Sequence, residues 1–121
     1  MIRVVIASDN EAFSQTIAQV LDSQPDVAVV GVGATVEKAF RQARRLRPDL
    51  LLTDMYLADG TGVELAGRVR KAGLGIQVIG FSVADDPSIA QRMLAAGAAA
   101  FVSKFESVGV LLNVIRKSVA V

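Results

Sequence analysis

Four polar residues stand where apolar runs end: Asp9 just after the run 2–7, Asp54 after Leu50-Leu51-Leu52-Thr53, Ser82 after the run 76–81, and Lys104 after the run 99–102. Two carboxylates held a few ångströms apart repel each other and favour a hard divalent cation. Mg²⁺ suits, because it accepts a couple of protein oxygens and keeps its waters. With the cation in place, Asp54 can attack a phosphoryl group and form an acyl phosphate. Lys104 offsets the growing oxygen charge and the Ser82 hydroxyl donates a hydrogen bond to it. Each residue also has a plain structural reading. Asp54 fits a turn cap, Ser82 a turn residue, and Lys104 a surface lysine. Ser8-Asp9-Asn10-Glu11 fits a capping box with Ser8 as cap and Asp9 favouring the helix dipole. Taken together, the four are harder to dismiss than any one alone.

The composition narrows the chemistry further. With no cysteine and no histidine there is no disulfide, thiolate nucleophile, imidazole base or imidazole metal ligand, so carboxylates, lysine, hydroxyls and backbone remain. At 121 residues, 52% hydrophobic and with a formal charge of +1, the chain fits one compact domain over residues 1–121. No second core fits, so no output domain is expected within it. No apolar stretch approaches a membrane span and no leader is visible, which predicts a cytoplasmic protein with no membrane partner.

The elements that must position the four residues follow from periodicity. Apolar runs at 2–7, 27–32, 50–53, 76–81 and 99–102 read as strands, the Leu50 run being apolar enough to be buried on both faces. Between them, helical spacing places Phe13, Ile17, Val20 and Leu21 inward on helix one. Val36, Ala39, Phe40, Ala43 and Leu46 face inward on helix two, which Thr35 caps and whose arginines point out. Helix three runs from Gly62 to Lys71 and ends at Gly73. Asp86-Pro87 opens helix four, with Ile89, Met93 and Ala96 inward, and helix five turns Val108, Leu111, Leu112 and Ile115 inward. Val110 and Val114 lie on its other side and predict an exposed apolar pair. Five strands alternating with five helices predict an α/β fold, a single doubly wound five-stranded parallel sheet of the flavodoxin-like (βα)5 kind. In such a sheet the post-strand residues share the carboxyl edge, where ligands bind.

These residues resemble the receiver domain of bacterial two-component response regulators, and the resemblance covers the whole chain. It rests on Asp9, Asp54, Gly62 at the family's distance, Ser82 and Lys104, with Ala96-Gly97-Ala98 and Phe101 in support. Arg47-Pro48-Asp49-Leu50 and Val29-Val30-Gly31 are similar to receivers of helix-turn-helix transcriptional regulators. The resemblance implies that a sensor histidine kinase donates a phosphoryl group to Asp54, with Mg²⁺ held by Asp9, Asp54 and the backbone carbonyl of Tyr56. It implies that Ser82 and Lys104 then draw toward the phosphoryl group, that Phe101 turns inward behind Ser82, and that the face made by helix four, strand five and helix five changes. On that reading the domain is an enzyme only in transferring the phosphoryl group to itself and slowly hydrolysing it. Four positions depart from the family pattern: Ser8 replaces a second acid, Phe105 the proline after the lysine, Val83 a small residue, and Ala58 a common proline.

Two other readings compete. Ser8, Val83 and Phe105 suit a degenerate receiver that binds partners without phosphorylation. Gly31-Val32-Gly33 suggests, weakly, a mononucleotide or flavin binder. The face of helix four, strand five and helix five is the expected docking surface for a second copy or an output domain. The arginines of helix two are expected to be a solvated face, with no nucleic acid bound by this domain.

Overall fold

The computed structural model describes residues 1–82 and 87–119. Val83, which stands in place of a small residue, and Asp86, expected to open helix four, lie outside the described residues. The elements are β1 (Ile2–Ala7), α1 (Glu11–Asp22), β2 (Val27–Gly33), α2 (Val36–Leu46), β3 (Leu50–Thr53), β4 (Tyr56–Leu57), β5 (Gly60–Thr61), α3 (Gly62–Lys71), β6 (Gln77–Ser82), α4 (Pro87–Ala95), β7 (Ala100–Ser103) and α5 (Val108–Val119). Five strands form one sheet in the order β2-β1-β3-β6-β7, every pairing parallel. This is the doubly wound, flavodoxin-like sheet that the alternation predicts. Its order reverses at β1, so the crevice at the carboxyl ends of β1 and β3 is the place where such sheets bind ligands.

Strand β3 shows why the aliphatic run is needed. Leu51 packs with Val36, Ala39 and Phe40 of α2, Leu65 of α3 and Met93 of α4. Leu50 and Leu52 pack on the other face with Ile17 and Leu21 of α1 and Leu111 and Ile115 of α5. All three leucines are fully buried, which the period-two alternation of a strand covered on both sides requires.

The glycines of β2 have a packing reason. A Cβ on Gly33 would lie 2.8 Å from the backbone nitrogen of Ala39, and one on Gly31 would lie 2.9 Å from Gln42 Oε1. Both sit inside the strand against α2, where the helix comes close, and not in a phosphate-cradling loop. Close packing of α2 on β2 thus accounts for both glycines without a ligand.

Helix five departs from expectation at two positions. Val108, expected inward, is 42% exposed; the core contacts of α5 begin at Leu111. Val114, expected outward, packs on the core with Leu111, Leu112 and Ile115, so the exposed pair is not Val110 with Val114. Ser8 is not the cap of α1. Asn10 is: its side chain accepts the Phe13 N–H at 3.0 Å. The periodicity gave no sign of the short antiparallel pair β4–β5, which folds the chain back after Asp54 through a turn at Ala58-Asp59.

Candidate functional site

The sheet register sets the level of each polar residue. Ala7 pairs with Thr53, and Thr53 with Gly80, so Ser8 and Asp54 are neighbours just past the strand ends while β6 runs two residues further to Ser82. Ser82 pairs with Ser103, which leaves Lys104 as the first residue beyond β7. Backbone bonds fix these positions: Asp54 N–H donates to Ala7 O at 2.9 Å, Ser8 N–H to Gly33 O at 3.0 Å, and Lys104 N–H to Ser82 O at 2.8 Å.

Asp54 is 8% exposed, and both its carboxylate oxygens have partners. Lys104 Nζ lies 2.5 Å from Oδ1. The Ser8 hydroxyl donates to Oδ2 at 2.6 Å, and Ser8 Oγ accepts the Asn10 N–H at 3.2 Å. A buried carboxylate is tolerated only when such partners replace its water. The Lys104 ammonium is itself guided by two aromatics that sequence reasoning did not assign to the site. It stands 3.6 Å from the ring centroid of Phe13 and 5.8 Å from that of Phe81, and the two rings are 5.5 Å apart. Their signal was present: Phe13 lies one turn into α1 after Ser8, and Phe81 directly precedes Ser82.

The fold thus joins Ser8, Asp54 and Lys104 by direct contact and brings buried Ser82 to the same edge. Asp9 follows Ser8 but is exposed, and its carboxylate has no hydrogen bond or ion pair among the described residues. Tyr56 is 63% exposed at the start of β4. Phe101 is half-buried on β7, in the space that Gly80 leaves open: a Cβ there would lie 2.8 Å from Phe101 Cδ2 and 3.0 Å from Met93 Cε of α4. The strand thereby couples to α4 through one aromatic ring.

The loop after Asp54 is tied to two helices. Asp59 accepts the N–H groups of Val36 at 2.6 Å and Glu37 at 3.2 Å, capping α2 from outside it. The hydrogen bond from Val36, then that from Glu37, holds the Asp59 carboxyl below the usual carboxylate range. Gly62 N–H donates to Met55 O at 2.7 Å, and Thr61 caps α3 by accepting the Glu64 N–H. Gly62 leaves no room for a side chain, since a Cβ would overlap the backbone carbonyl oxygen of Asp54.

The oxygens the site offers are the Asp54 carboxylate and the Ser8 hydroxyl bonded to it, with Asp9 next in the chain after Ser8. That chemistry fits a hard cation that keeps most of its waters and does not fit a soft metal. No cluster of three or more acids occurs among the described residues, so the protein's charge toward a cation is small.

Comparison with known proteins places these features in a family. Residues 4–116 match the response regulator receiver domain. The chain is 31% identical over 117 residues to the response regulator protein VraR of Staphylococcus aureus, covering 97% of this chain and 56% of that relative; it therefore spans about half the relative's length. The response regulator domain of Thermotoga maritima CheB superposes with a TM-score of 0.91 at 27% identity, covering 100% of this chain and 98% of that one. A DNA-binding response regulator of the LuxR family from Staphylococcus aureus shares the fold, with a TM-score of 0.94 at 22% identity over 99% of this chain and 100% of that one.

Proposed function

This chain belongs to the response regulator receiver domain family, and from that premise we propose that residues 1–121 act as one receiver domain whose phosphoryl acceptor is Asp54. Receiver domains of two-component systems act with histidine kinases and bind Mg²⁺ for phosphorylation. The observation that carries the assignment is the contact of Lys104 Nζ with Oδ1 of a buried carboxylate at the carboxyl edge of the sheet.

In the transfer, a carboxylate oxygen of Asp54 forms a bond to phosphorus as the bond from phosphorus to the donor imidazole nitrogen breaks. The electron pair returns to the imidazole, which takes a proton from water. Lys104, already beside Oδ1, turns its ammonium to the phosphoryl oxygens, guided by the Phe13 ring, and the Ser82 hydroxyl donates to them. Asp9, Asp54 and the Tyr56 carbonyl are the groups to hold Mg²⁺, which when bound offsets charge on the phosphoryl oxygens. As Ser82 moves, the half-buried Phe101 ring beside Gly80 turns further inward behind it and shifts the face of α4, β7 and α5. Leu94 and Phe105, 50% and 80% exposed, give that face apolar side chains for a second copy or an output domain. Among the described residues no helix is long and apolar enough to cross a membrane.

Acetyl phosphate with Mg²⁺ should add one phosphoryl mass to the protein, and Asp54→Asn should abolish the addition. Equal labelling of both proteins would remove Asp54 as acceptor. A wild type that never labels, yet still binds a partner through the α4-β7-α5 face, would favour a receiver that signals without phosphorylation.

A further inference from the structure

We propose that the Ser8 hydroxyl is a positioning group that takes the cation's place at Oδ2 of Asp54, so that residue 8 sets the cation affinity of the site. The proposal rests on the reading of Asp54 as acceptor. The family pattern has an acid at this position, and two facing carboxylates need a cation between them to lie close. A hydroxyl removes that need. With Ser8 donating to Oδ2 at 2.6 Å and Lys104 at 2.5 Å from Oδ1, the buried carboxylate has a partner of positive character on each oxygen without any ion.

The hydroxyl proton has little freedom to turn elsewhere. Ser8 is 3% exposed, its N–H is bonded to Gly33 O, and Oγ already accepts the Asn10 N–H at 3.2 Å. The other acceptor within reach, Asn10 O, is 3.5 Å away, a poorer distance than the 2.6 Å to a charged oxygen. Oδ2 keeps a second lone pair, but its negative charge is already engaged by the Ser8 proton, so a cation coordinating it competes with that hydrogen bond. Asp9 cannot make up the difference alone: it is exposed, and no group of three acids surrounds the site among the described residues.

This account predicts the sign of three substitutions. If Ser8 Oγ competes with the cation, Ser8→Ala tightens Mg²⁺ binding. If Oγ instead helps to ligate the cation, Ser8→Ala weakens it. Ser8→Asp, which removes the competing proton and adds a charge, should tighten binding by at least about tenfold. Ser8→Thr, which keeps the hydroxyl, should bind like wild type.

Tyr56 is the only tyrosine and the chain has no tryptophan, so its intrinsic fluorescence reports on a site two residues away. Mg²⁺ titrations of wild type and the three variants, read by that fluorescence and by the amide shifts of Asp54 and Met55, give the affinities. The Mg²⁺ concentration for half-maximal acetyl phosphate labelling should shift in the same order, separately from the plateau rate. A weaker Ser8→Ala, or a Ser8→Asp within twofold of wild type, overturns the proposal. That outcome is distinct from failure of the acceptor assignment, in which Asp54→Asn labels like wild type whatever residue 8 does. The affinity order, read without labelling, still decides the role of Ser8.

Discussion

Two glycines of α3 should respond in opposite directions to the same added methyl. At Gly62, the first residue of α3, a Cβ would overlap the Asp54 carbonyl oxygen and come within 3.3 Å of both Asp54 C and Thr53 Cγ2. None of these atoms moves freely. Asp54 N–H is bonded to Ala7 O, its carbonyl accepts the Thr53 hydroxyl at 2.9 Å, and Gly62 N–H is bonded to Met55 O. The methyl must therefore push the β4–β5 loop away from the sheet. Overpacking of this kind costs about 1–3 kcal/mol, and losing the Gly62 bond adds about 1 kcal/mol. Better helix propensity returns at most about 1 kcal/mol. Gly62→Ala should thus destabilise the fold by about 2 kcal/mol, a fall of roughly 8 °C in Tm for a domain of this size. At Gly67, one and a half turns along, a Cβ meets nothing within 4 Å. There Gly67→Ala should stabilise by about 0.5–1 kcal/mol, through helix propensity and a less free unfolded chain. Urea unfolding followed by circular dichroism measures both. Acetyl phosphate labelling of Gly62→Ala should fall as well, since the acceptor's backbone is what gives way. A Gly62→Ala protein as stable as wild type would refute the claim that the loop is clamped to Asp54, and equal losses at both positions would show that only helix position mattered.

Two further outcomes follow from charges away from the site. Arg116 of α5 forms a paired contact with Asp26, at 2.8 and 3.0 Å, and its hydrogen bonds hold the Asp26 carboxyl below its ordinary value of 3.8. A carboxylate lowered in the folded state adds stability above that ordinary value and loses it as pH falls through the folded one. Acid unfolding of Asp26→Asn should accordingly show a shallower dependence below about pH 4 than wild type, and superimposable profiles would discount the pair. Asp59→Ala should expose the N–H groups of Val36 and Glu37 and speed their hydrogen exchange, while the α3 amides of Leu65 and Val69 stay protected. Unchanged exchange at Val36 would show that the cap does not hold α2.

The sequence by itself determined the sheet. Continuous apolar runs such as Leu50-Leu51-Leu52, a change to helical spacing after each run, and glycine or proline stops leave a parallel α/β fold as the arrangement that buries both faces of β3. The same logic placed Asp54, Ser82 and Lys104 at one edge, because a residue that follows a parallel strand has only one end of the sheet to occupy. What one strand's pattern cannot encode is which neighbour a side chain meets. That Ser8 turns from a helix cap into a donor to Asp54 depends on β1 and β3 being adjacent in this register. The Phe13 and Phe81 rings under Lys104, the Asp59 cap on α2, and the Val114 that packs where Val108 does not are likewise contacts between segments far apart in the chain or at the margin of the sheet. They were decided by tertiary packing, since hydrogen bonds and ring contacts act over a few ångströms, and only the folded chain brings those residues that close.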